Sequence, residues 1–237
     1  MTIETFIEKL KEACPAGLLS VVLYGSAAAG DHLPKKSDLN ILVLLADLKL
    51  QRLKALAPVA AAWDRAGHPA PLLFTPGQLR QSADVFPIEL LDMQDAHRIL
   101  VGEDLIGAIE VHRNNLRLQI EHELKGQHIQ LRREYLLTRG KAGAVVRLMV
   151  ESLSTFMVLF RAALRLYQPA VPLQKMEALK ALTAFIPFRL DVFQTLQAVK
   201  AGEQSRRGLP VDELFSGYLE SIELVINAVD SFDTSGG

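Results

Sequence analysis

Leu23-Tyr24-Gly25-Ser26-Ala27-Ala28-Ala29-Gly30, followed after a short gap by Pro34-Lys35-Lys36-Ser37-Asp38-Leu39-Asn40-Ile41-Leu42-Val43, is the stretch on which the reading of this chain turns. An aliphatic run over residues 18–24 stops at Gly25, and a second over residues 39–45 begins just after Asp38. Two short aliphatic runs separated by a polar, Gly- and Pro-containing connection read as central strands of a small sheet. Glycine after a strand lets the chain turn tightly. Ser26 behind it then brings a hydroxyl and backbone N–H groups to a helix N-terminus, where a phosphate can be held. Residues 38 and 40 are two apart at the start of a strand, so their side chains share a face and can hold one cation. Oxygen ligands of this kind suit Mg²⁺, which completes its shell from phosphates and water.

Working outward, Ile3, Phe6, Ile7 and Leu10 recur at helical spacing, which predicts an amphipathic helix over residues 2–13 that ends at Pro15-Ala16-Gly17. Residues 48–66 have helical composition, 71–74 read as an extended strand, and the aliphatic run 86–93 reads as one more strand. The expected order is helix, strand, strand, helix, strand, strand, a mixture that packs helices on a buried sheet. After Gly107 the strand-like runs give way to long helical patterns, expected over residues 109–137, 142–167, 173–186, 189–201 and 211–232. The reading is therefore an α+β chain. A small mixed-sheet domain spans residues 1–107, an all-helical bundle spans 108–233, and residues 234–237 form a disordered tail.

Composition sets the frame for function. Hydrophobic residues make up 49% and charged residues 22% of the 237, a balance that fills cores and argues against disorder. With a net charge of −1, nothing favours non-specific attraction to nucleic acid or an acidic membrane. The single cysteine, Cys14, excludes an intrachain disulfide and fits a reducing compartment, with the cytoplasm the default expectation. The most apolar later run, residues 145–166, is interrupted by Arg147, Glu151, Arg161 and Arg165, so it reads as a buried bundle helix and not as a membrane span.

The Gly-Ser pair after the first strand and the Asp-x-Asn pair opening the second resemble the signature of the DNA polymerase beta-like nucleotidyltransferases. The likeness is close over residues 23–43 and loose over 1–107. A sheet domain followed by a helical one is also similar in layout to the aminoglycoside nucleotidyltransferases. The resemblance implies that Gly25, Ser26, Lys36 and Ser37 bind the triphosphate of a nucleoside triphosphate. It implies as well that Asp38, Asn40 and a third carboxylate on a neighbouring strand hold Mg²⁺ for transfer to an acceptor hydroxyl. Glu89, inside the run 86–93, is the expected third ligand; Asp92 would face the other side of that strand by alternation. The acceptor is a small molecule or a protein, and the helical domain is the expected site of any homodimer.

Two departures weaken the match. Asn40 stands where the family has a second aspartate, which removes one charge from the metal site. Ala28-Ala29-Gly30 also lacks the family's frequent arginine. The alternative to an active transferase is therefore a nucleotide-binding, regulatory or antitoxin-like protein of the same fold.

In the helical half, Arg113 and Arg117 lie one turn apart in a basic stretch, either contacting an acidic ligand or forming a solvated face laced with Glu121, Glu123 and Glu134. Arg117 and His122 fit loosely the Arg-x4-His spacing of helical ribonuclease domains. Glu151, within the most apolar helix, is expected to need a partner, either Arg147 one turn before it or an acceptor hydroxyl. The six histidines show no paired metal spacing and no Gly-x-Ser-x-Gly elbow occurs, which disfavours zinc and serine hydrolases.

Overall fold

Leu18–Tyr24 (β1) lies in the middle of a four-stranded sheet. Its neighbours are Asn40–Leu45 (β2) and His97–Gly102 (β4), both antiparallel to it; Leu72–Phe74 (β3) runs parallel to β2 at the edge, giving the order β3-β2-β1-β4. The structure, a computed structural model, describes residues 1–28 and 39–234. It divides into two units, Met1–His112 and Arg113–Gly237.

Side chains alternate across the sheet, and two hydrophobic groups divide accordingly. Val21, Leu23, Ile41, Val43 and Leu45 pack with Phe6 and Leu10 of Ile3–Ala13 (α1) and with Leu56, Val59 and Trp63 of Leu50–Arg65 (α2). The other face, through Val22, Leu42 and Leu44, packs with Leu79 of Pro76–Gln81 (α3), Leu90 and Met93 of Pro87–Asp95 (α4), and Ile106 and Ile109 beyond β4. Each large apolar side chain so buried contributes about 1.5–3 kcal/mol. Both faces of the strands are therefore covered. Gly102, at φ +80°, closes β4 where an added Cβ would lie 1.9 Å from the Leu19 carbonyl oxygen.

One element corrects the sequence reading. Residues 86–93 are not a strand; from Pro87 onward they form α4. Proline at the first helical position has its φ already set and loses no bond there, since the first N–H groups of a helix have no internal partner. The aliphatic run is also too short for periodicity to separate strand from helix. The first-unit order is thus helix, strand, strand, helix, strand, two short helices joined by a 3-10 turn at Ser82–Asp84, and a last strand.

The second unit is helical: Arg113–Thr138 (α5), Ala142–Leu164 (α6), Lys175–Leu182 (α7), Leu190–Ala201 (α8) and Val211–Asp230 (α9). Apolar over most of its circumference, α6 packs against the other four helices. It is the one helix among the described residues long and apolar enough to cross a membrane, but it serves here as the bundle's centre. Phe156, Phe160, Phe193 and Tyr218 form an aromatic cluster around it, and the Tyr218 hydroxyl lies 3.1 Å from Ser152 Oγ.

Candidate functional site

Gly25 ends β1 with φ +78°, a conformation that costs other residues about 1–2 kcal/mol. Its N–H donates to the Ala96 carbonyl at 2.9 Å, which ties the turn to the junction between α4 and β4. Ser26, Ala27 and Ala28 continue as a turn closed by the Ala28 N–H on the Gly25 carbonyl at 2.9 Å, with Ser26 exposed. The helix expected from Ser26 onward would continue into residues 29–38, outside the described residues. Asp38, Lys36, Ser37 and Lys35 lie in that stretch as well.

Asn40 pairs with Tyr24 across β1 and β2, and its Nδ2 lies 3.4 Å from where a Cβ on Gly25 would sit. By alternation Asn40 shares a face with Leu42 and Leu44, the face covered by α3 and α4. On β3, paired through Leu42↔Leu72 and Leu44↔Phe74, the residues on that face are Leu72 and Phe74. The strand beside Asn40 therefore offers two apolar side chains where the family resemblance implies a carboxylate. Glu89 is not a strand residue, which corrects its expected position; any contribution it makes must come from α4.

The same correction changes the relation between the two α4 acids. On a strand Glu89 and Asp92 would point to opposite sides, but three residues apart on a helix they share one face. Both line a cavity of about 500 Å³ beside the turn. Tyr24 and Gly25 form one side of it, and Phe74, Leu79, Phe86 and Met93 give it an apolar floor. Its volume falls within the range of small-molecule sites, which are mostly apolar with a few placed polar groups. Burial pushes the Tyr24 phenol above its ordinary value, so it stays a neutral hydroxyl. Sequence reading missed the floor residues, because they come from β3, α3, α4 and the residue before α4, and only the fold brings them together. Among the described residues, no three His, Cys, Asp or Glu side chains are close enough to form a metal cluster.

Behind the cavity, Gln94 of α4 donates to the Ile106 and Ile109 carbonyls at 3.0 and 2.8 Å. His97 bonds the Gln94 carbonyl through Nδ1 at 3.1 Å and Asp104 Oδ2 through Nε2 at 3.0 Å. Both partners are acceptors, so both ring nitrogens carry protons in this arrangement. Burial works against that charge, but the Asp104 carboxylate and the backbone carbonyl outweigh it and hold the imidazole above its ordinary value. N–H groups of Gly107 and Ile106, together with His97, hold Asp104 below the usual carboxylate range. This cluster fixes the end of α4 and so the placement of Glu89 and Asp92.

In the helical unit, Arg117 donates to Glu121 at 2.8 Å and to the Val229 and Asp230 carbonyls at 3.5 and 3.3 Å. It neutralises the C-terminus of α9, a position where cations stabilise a helix. Lys125 bridges Glu121 and Asp230 in the same network. Glu151 and Arg147 are both exposed, so the expectation of a buried Glu151 needing a partner is corrected: water solvates it.

Comparison with known proteins adds two findings. Residues 3–92 match the family model described as Nucleotidyltransferase domain. The spectinomycin adenyltransferase AAD(9) from Enterococcus faecialis, solved with ATP and spectinomycin, superposes with a TM-score of 0.56 at 13% identity, over 97% of this chain and 100% of that one. At that identity the likeness speaks for the fold. No curated protein matches the chain by sequence.

Proposed function

Starting from residues 3–92 as a nucleotidyltransferase domain, we propose that this protein binds a nucleoside triphosphate as its Mg²⁺ complex and transfers the nucleotidyl group slowly, if an acceptor is supplied. In this reading the Gly25–Ser26 turn holds the triphosphate, assisted by Lys36 and Ser37. Asp38 is the principal Mg²⁺ ligand, Asn40 a neutral second one, and Glu89 reaches in from α4, with Asp92 beside it. The apolar floor of the cavity receives the flat heterocycle of the nucleotide. The acceptor is a small molecule with a free hydroxyl, a class supported by the spectinomycin bound to the superposable enzyme.

The observation that carries the reading is the chemistry of the sheet face beside Gly25. Beside the turn that face carries, among the described residues, Tyr24, Asn40, Leu72, Phe74 and, from β4, His97, none of them a carboxylate. A metal that arrives with the triphosphate brings phosphate oxygens of its own and needs few protein charges. A second metal that activates an acceptor hydroxyl depends on carboxylates. Binding therefore outlasts transfer. The test is pyrophosphate release with a panel of hydroxyl acceptors, measured for the native protein and for Asn40→Asp. The reading expects slow native release and a rise on substitution.

The regulatory alternative rests on the same observation. It becomes the better description if nucleotide binds and neither form releases pyrophosphate with any acceptor.

A further inference from the structure

Beyond the sheet unit, one surface of the helical bundle has no explained purpose. The buried stripe of α5 runs through Leu116, Ile120, Leu124, His128 and Leu131. Ile129 and Leu136 lie on a second stripe of the same helix and are 53% and 74% exposed. A single exposed aliphatic residue needs no explanation, but an apolar stripe rimmed by charge marks a contact surface. These two residues line an open groove of about 620 Å³ whose other wall is α9, contributing Phe215 and Leu219. Tyr135 stacks on Phe215 at 4.5 Å between ring centroids and supports the floor.

The two walls carry opposite charge. Arg132 and Arg133 stand on the α5 side, and among the described residues neither has an ion-pair or hydrogen-bond partner. Asp212 stands on the α9 side, and Glu220 follows two turns on, accepting a hydrogen bond from the groove residue Ser216 at 2.8 Å. A groove of one sign would call for a partner of the other sign. This one is lined by Arg132 and Arg133 on its α5 wall and by Asp212 on its α9 wall. Its complement is the same face turned over.

The helices run antiparallel: Arg117 near the start of α5 reaches Asp230 at the end of α9, whereas Tyr135 near the end of α5 meets Phe215 near the start of α9. A two-fold axis parallel to them sets α5 of one molecule on α9 of the other at the same height. Arg132 and Arg133 then face Asp212 and Glu220 twice over, and the two apolar floors close on each other. We infer that the α5–α9 face docks on a second copy of this chain as an isologous dimer. The apolar floor supplies the affinity and the charges set the register, since charge pairs across an interface act mainly on specificity.

The experiment is sedimentation equilibrium on the full chain and three variants, with far-UV circular dichroism to check folding. The native protein is expected to associate reversibly from a 26.2 kDa monomer to twice that mass. R132E/R133E makes both walls negative and D212K/E220K makes both positive, so each alone should be monomeric or dimerise at least roughly tenfold more weakly. An equimolar mixture of the two should form a heterodimer, because each wall again meets its opposite. Leu136→Glu, at a position 74% exposed in the monomer, should also weaken the dimer. A native protein that stays monomeric throughout the micromolar range overturns the inference. So does a folded Leu136→Glu that dimerises as well as the native chain, or a mixture of folded charge variants that fails to associate. Stable capture of a different protein by a monomeric native chain would assign the groove to another partner and equally overturn it.

Discussion

In the proposed function, Asn40 and Gly25 are the two residues whose substitution is most telling. Replacing Asn40 with aspartate adds one negative charge at nearly constant volume, on the sheet face that holds Tyr24 and Leu72. If Asp38 and an α4 carboxylate are in place, that charge helps to hold the ion that activates the acceptor, and pyrophosphate release should rise by about tenfold or more, roughly 1.4 kcal/mol of barrier. Brisk native release that Asn40→Asp fails to raise would mean that Asn40 is no lesion. Gly25→Ala tests the turn: the new methyl finds ordinary contact distance to Asn40 Nδ2 at 3.4 Å, so the cost lies in the backbone at φ +78°. We expect a loss of about 1–2 kcal/mol, shared between stability and nucleotide affinity, readable as a lowered Tm and a weakened titration; an unchanged protein would show that the turn is not held as described. Both residues were legible in the sequence because they sit at a strand's end and a strand's start, where local chemistry is sharp. Tyr24, Phe74 and Phe86 were not, since nothing local marks a residue that a parallel crossover and a following helix bring to one cavity.

The helix α4 shows what a short apolar run conceals. Its buried residues Pro87, Ile88, Leu90 and Met93 satisfy a strand's composition, and only Pro87 signalled a helix start. Because it is helical, Glu89 and Asp92 reach the cavity together, and Phe86, just before it, forms part of the floor. Phe86→Ala should weaken nucleotide binding by about 0.5–1.5 kcal/mol, the contribution of one aromatic contact; an unaltered affinity would place the heterocycle elsewhere. The strand after α4 is anchored by the His97–Asp104 pair, which links its stability to pH. His97 is held above its ordinary value, so its contribution is complete below about pH 6.5 and is lost as pH rises through the raised value. Asp104 is held low, so its share is present above the ordinary carboxylate value and is lost only as pH falls through the lowered one. Native Tm should thus decline from near neutral pH upward, and Asp104→Asn should flatten that decline. A decline of equal slope in the variant would show that another group is responsible. At the far end of the same strand, Gly102→Ala would drive a methyl into the Leu19 carbonyl at 1.9 Å and should cost more than the backbone penalty alone.

Taken as a molecule, the chain joins a sheet unit to a bundle built on different rules. The helical half was readable almost to its boundaries, because long periodic patterns between prolines and glycines leave little choice. Charge roles within it were partly readable: of the two readings of Arg117, the helix face laced with Glu121 is the one found, with the end of α9 as a further partner, whereas nothing local marked Arg132 and Arg133 as the rim of an open groove. Both the proposed transferase and its regulatory alternative require the sheet unit to bind a metal–nucleotide complex through the Gly25–Ser26 turn, with or without rapid transfer. The direct measurement is isothermal titration of the four common nucleoside triphosphates into the native chain and into Ser26→Ala, each with Mg²⁺ and with excess chelator. Saturable binding of at least one nucleotide that requires Mg²⁺ and weakens in Ser26→Ala is the expected result. Absence of binding for all four, or binding indifferent both to Mg²⁺ and to Ser26, would contradict it.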